Sequence, residues 1–89
     1  MSLVNFVRRL IREKVEYTVE FEINSQIHQK AVFMANSLWT VKKQKRFIAI
    51  LMSYCTSYEY VKVLFYTTHS DGSKIFQGSQ VFNKKTVGT

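Results

Sequence analysis

From Val15 to Ile23 the chain alternates without a fault: Val15, Tyr17, Val19, Phe21 and Ile23 are apolar, with Glu16, Thr18, Glu20 and Glu22 between them. A period of two predicts a half-buried antiparallel strand, here with an acidic solvent face. The polar run Asn24-Ser25-Gln26 is turn-competent, and Ile27 to Met34 reads as the returning arm of a hairpin. Upstream, Leu3 or Val4, Val7, Leu10 and Ile11 recur at the three-and-four spacing of one helical face. This predicts a helix over 3–13 with Ser2 as its N-cap, and it gathers Arg8, Arg9 and Arg12 on the other side.

Residues 37–55 admit two readings. As one helix capped by Ser37, they carry Leu38, Val41, Ile48, Leu51, Met52 and Cys55 as an apolar stripe. Against this, Lys42 and Lys43 would lie near the positive end of the macrodipole. As two strands, Leu38 to Val41 and Phe47 to Tyr54 would flank a lysine-rich loop with no glycine to relax its turn. The helix is preferred. Residues 58–68 predict a strand, Ser70-Asp71-Gly72-Ser73 a turn, and Lys74 to Phe82 the return, with Gly78 marking a bulge or a close backbone approach. The expected fold is a small single α+β domain over 1–82, in the order α-β-β-α-β-β: an antiparallel sheet of two hairpins with two helices on one face. A short basic tail over 83–89 is expected to fray.

Composition changes this picture in two places. Hydrophobic content of 46% is ordinary for a globular chain, but 13 Lys+Arg against 6 Asp+Glu give a net charge of +7, and aromatics make up 15%. A basic surplus bears on solubility, steering and polyanionic partners, and not on reaction type. Four of the six acids crowd into residues 13–22, so a polyanion site must avoid that segment. Cys55 alone cannot form an internal disulfide, and with only His28 and His69 the sequence lacks the spacing of a zinc site. No cofactor is expected. The longest apolar run, Phe47 to Met52, is far short of the ~20 residues of a membrane span. The arginines near the N-terminus fall within and after the apolar positions, the reverse of a secretory signal, so a cytoplasmic location is expected.

Phosphate backbones are bound by clusters such as the arginine face and the block Lys42, Lys43, Lys45, Arg46, which has no acid within ten residues on either side. The bland reading is a solvated face that keeps the chain soluble. Trp39 beside that block is the best candidate for stacking a base, whereas Phe6, Phe21, Phe33, Phe47, Phe65 and Phe76 are expected in the core. For hydrolysis, Asp71 is better explained by its turn and Cys55 as a small core residue, and nothing in the sequence joins His28 to His69. A basic amphipathic helix over 3–13 could also meet an anionic membrane, but in so short a chain its apolar face contributes more when docked on the sheet.

The expected function is a non-enzymatic binding module for nucleic acid, RNA or single strands above a specific duplex. Its contacts would be Arg8, Arg9, Arg12, Trp39, Lys42, Lys43, Lys45 and Arg46. The alternative is an interaction protein that docks on an acidic protein surface to regulate a larger enzyme. A homodimer is a further expectation, because two hairpins leave edge strands to cover.

Overall fold

The computed structural model describes residues 14–87. The helix expected over 3–13 lies outside them. Two antiparallel hairpins form the frame: β1 (Val15–Ile23) with β2 (Gln26–Ala35), and β3 (Tyr60–Thr68) with β4 (Lys74–Asn83). Between them come α1 (Leu38–Lys43) and α2 (Lys45–Ser57), and a last turn of helix, α3 (Lys84–Val87), follows β4. The hairpins join through β1 and β3, also antiparallel, to give a four-stranded sheet in the order β2-β1-β3-β4. This is the α+β class that the alternation in the sequence predicts.

The alternation of β1 maps directly onto burial, since Tyr17, Val19, Phe21 and Ile23 are all buried. Ile23 pairs with Gln26, so the turn is only Asn24-Ser25, both at positive φ (50° and 67°). Two consecutive left-handed residues match the twist of a tight hairpin, which suits an asparagine at the first. The second hairpin closes through a longer loop, where Gly72 takes φ 88° and Asp71 accepts from the Ser73 N–H at 2.9 Å and its hydroxyl at 2.6 Å. Those two bonds hold the Asp71 carboxyl below its ordinary pKa.

The single helix expected over 37–55 is two. Ser37 does cap, in a reciprocal box: Thr40 N–H donates to Ser37 Oγ at 3.3 Å, and Ser37 N–H donates to Thr40 Oγ1 at 3.1 Å. The helix then breaks at Gln44, whose backbone is extended (φ −71°, ψ 137°), before α2 begins. Lys42 and Lys43 consequently occupy the last turn of α1, where cations are favourable, and not the first turn of a long helix.

Helices α1 and α2 cover one face of the sheet. Phe47 is the hub, with ring centroids 5.9 Å from Phe21, 6.0 Å from Phe33, 6.0 Å from Phe65 and 6.2 Å from Phe82. Leu51, Cys55 and Val41 complete the helical side of the core. Burial pushes the Cys55 thiol pKa up, as expected of a small core residue. Phe76 departs from its expected place in the core and is 55% exposed. The reason is a bulge: Phe65 pairs with Gly78 but Tyr66 pairs with Phe76, so the register slips by one and Phe76 turns to the opposite face. Gly78 takes φ 139° at this bulge, and a Cβ there would meet nothing within 4 Å, so no close backbone approach is involved. Lys84–Val87 form α3, capped by Asn83, whose Oδ1 accepts from the Thr86 N–H at 2.9 Å.

Candidate nucleic-acid interface

The basic block is contiguous in sequence but divided in space. Val41 and Phe47 anchor α1 and α2 to the core, and the bend at Gln44 sends the side chains between them toward opposite edges of the sheet. Lys42 reaches the β4 edge, where its ammonium donates to Gln80 Oε1 at 2.7 Å and lies 5.3 Å from the Phe65 ring centre. Arg46 reaches the β2 edge. Its guanidinium donates to the Val32 carbonyl oxygen and sits 4.3 Å over the Phe33 ring. It occupies the first turn of α2, where a cation is mildly unfavourable, and these contacts offset that. Gln44 adds a further tie by donating to the Met34 carbonyl oxygen at 3.0 Å. Lys42 and Arg46 are thus tied to the sheet, whereas Lys43 and Lys45 are exposed and, among the described residues, have no hydrogen bond or ring contact with the strands.

Trp39 is the informative residue. It lies in the first turn of α1 with 67% of its surface exposed, and the Lys43 ammonium stands 5.0 Å from its ring centre. The two residues are four apart, the spacing that brings side chains together on a helix face. An indole this exposed contributes little to the core, and its ring is held beside a cation. Next to it is a groove of about 320 Å³ lined by Trp39, Lys42, Lys43, Ile48, Leu51 and Phe82. Its walls are mainly apolar, with two ammonium groups among the lining residues. Ile48 and Phe82 went unrecognised as site residues in the sequence because each fits an ordinary apolar stripe or strand position.

The stretch of chain that carries the site is free of acids: residues 23–58 contain no Asp or Glu. The acids of β1 project from the other face of the sheet, where Glu20 and Lys30 form an ion pair at 3.5 Å. Arg8, Arg9 and Arg12 lie outside the described residues.

The hydrolytic candidates do not converge. His28 meets Tyr54 and Tyr58 edge-on, with centroids at 6.1 and 5.8 Å, near the β1–β2 turn, whereas His69 belongs to the β3–β4 loop at the opposite end of the sheet. Burial first, and then the neighbouring Tyr58, raises the pKa of Tyr54, whose hydroxyl donates to Gln29 Oε1 at 3.1 Å. Among the described residues no cluster of three or more His, Cys, Asp or Glu could hold a metal ion, and no helix is long and apolar enough to cross a membrane. The chain matches no protein-family model, no curated protein and no solved structure.

Proposed function

We propose that this protein is a non-enzymatic module that binds single-stranded nucleic acid, RNA in the first instance, across the α1 surface. One observation carries the reading: an indole that is 67% exposed, with a lysine ammonium 5.0 Å over it, beside an apolar groove and on a stretch of chain that holds five cations and no acid between residues 30 and 46. Stacking on an aromatic face and phosphate contacts from nearby lysines are the two components of sequence-tolerant single-strand binding. Trp39 supplies the platform, and Lys43 and Lys45 supply the charges free to engage phosphate. A duplex fits less well, because its bases are already stacked and unavailable to an indole.

The test is fluorescence anisotropy on a single-stranded RNA across a salt series. Trp39→Ala is expected to weaken binding by ~1–3 kcal/mol and leave the salt slope alone, as loss of a stacked base does. Lys43→Gln with Lys45→Gln is expected to lower the log–log slope by about 1.4, at ~0.7 per phosphate on a single strand. Unchanged affinity and slope in both variants would overturn the reading. Docking on an acidic protein surface is the second reading. It is supported by Met52 (49% exposed), one helical turn beyond the groove-lining Ile48, because Trp, Met and basic residues together also describe a protein-binding patch. It predicts a complex that survives nuclease and depends more weakly on salt.

A further inference from the structure

The sheet face turned away from α1 and α2 carries an ordered pattern of apolar and charged side chains. The strand registers align Val32 with Thr18, Thr18 with Tyr66 and Tyr66 with Phe76, which makes one row across all four strands. Val32 and Phe76 end that row at 45% and 55% exposure, and the Tyr66 and Phe76 rings meet edge-on at 5.6 Å. Four residues along the two central strands from this row, Glu22 of β1 pairs with Lys62 of β3. Met34 and Val81, both more than half exposed, widen the apolar surface at the outer strands. The edges of the sheet are blunted by contrast. On β2 the Val32 and Met34 carbonyl oxygens accept from Arg46 and Gln44, and β4 begins at a lysine and is broken by the bulge at Gly78. Bulges and lysines are the usual protection of an edge strand, so a partner is directed to the face.

We propose that this face is covered by a second copy of the chain, with the two sheets packed about a two-fold axis that runs along the strands between β1 and β3. Such an axis sets β1 of one copy over β3 of the other, and β2 over β4. Charge selects this arrangement, because each Glu22 then lies over Lys62 of the other copy and the four groups alternate in sign. Side-chain size agrees with it. Thr18 comes opposite Tyr66 and Val32 opposite Phe76, small against large in both, as interdigitating sheets require. The area is sufficient as well. Four strands at a spacing of about 4.8 Å and nine residues at about 3.3 Å each give a face of roughly 19 × 30 Å, so the pair buries about 1,100 Å². A specific interface needs ~1,000 Å². Trp39 lies with α1 on the other side of the sheet, so the pairing leaves both α1 surfaces facing outward and does not depend on what they bind.

The test is the association state of the full chain, together with an isotope-edited NMR experiment on mixed labelled and unlabelled protein. Sedimentation equilibrium is expected to give twice the 10.5 kDa of one chain at high concentration. In the mixed sample, contacts from the Val32 methyl groups to the Phe76 ring are expected between labelled and unlabelled molecules. Within one chain these residues stand three strand spacings apart, about 14 Å, too far for such a contact. Val32→Ser with Phe76→Ser, both exposed in the single chain, should raise the dimer dissociation constant about a hundredfold and leave the fold intact by circular dichroism. Glu22→Lys and Lys62→Glu should each weaken the homodimer about tenfold, since like charges then meet. Mixed, the two charge variants should form a heterodimer as tight as the parent, which an effect within one chain would not produce. A monomer at high concentration would overturn the proposal, and so would a dimer that lacks the Val32–Phe76 contact or ignores the serine and charge variants.

Discussion

Tyr66 shows how much one residue's surroundings matter on the open face of the sheet. Partial burial is the first cause that raises its pKa; the charges of Glu20 and then Glu22 come next, followed by the hydrogen bond it donates to the Glu20 carboxylate. The folded state therefore keeps the neutral phenol longer than the unfolded chain does. Its contribution to stability is complete below the ordinary phenol pKa of about 10 and is lost as pH rises through the folded value. Alkaline titration followed by tyrosinate absorbance should show Tyr66 ionising above the ordinary phenol value, and Glu20→Gln should bring it earlier. If Glu20→Gln left the titration unmoved, the carboxylate would not be its partner. Trp39 teaches a related lesson, since its type fits core and binding surface equally and only its exposure separates the two.

At the scale of elements, two local irregularities decide which side chains meet. The break at Gln44 resets the helical phase. In one continuous helix Val41 and Ile48, seven apart, would share a buried face, but restarting at Lys45 turns Phe47 inward and leaves Ile48 38% exposed beside Trp39. The groove at the candidate site is a product of that break. The bulge at Gly78 does the same for β4, sending Phe76 outward. Because a Cβ at Gly78 would find free space, Gly78→Ala isolates the cost of placing an L-residue at φ 139°. It should destabilise the protein by ~1–2 kcal/mol in urea unfolding, with m unchanged. An unaltered midpoint would mean that the bulge does not depend on glycine.

Over the whole molecule, the charge of +7 is sorted by the fold and not spread as a uniform field. Lys42 and Arg46 tie the helical layer to the two outer strands, while Lys43 and Lys45 face solvent from the connection between α1 and α2. Replacing all four would therefore mix two effects. Lys42→Gln and Arg46→Gln are each expected to lower stability by ~0.5–1.5 kcal/mol, the usual net worth of such contacts, with a smaller change in salt slope than Lys43→Gln with Lys45→Gln produces. Thermal unfolding and anisotropy on the same variants check this. Equal effects of all four on the slope, with stability unchanged, would show that the block acts as one patch.

The elements that could be read from the sequence are those whose signal is local. The strict alternation of 15–23, the turns at 24–26 and 70–73 and the Ser37 cap each depend on neighbouring residues, and all stand where the pattern puts them except that Gln26 already belongs to β2, which tightens the first turn to Asn24-Ser25. Of the candidate site, residue types and the absence of acids were legible: a tryptophan next to a run of cations. Three features were not. The division of the block between two sheet edges, the exposure of Trp39 and Ile48, and the outward turn of Phe76 each follow from a break or register slip of a single residue. In a periodic element such a slip rotates every later side chain, by about 100° in a helix and to the opposite face in a strand. Where the slip falls is decided by packing around Phe47 and across the paired strands, through contacts between residues far apart in the chain.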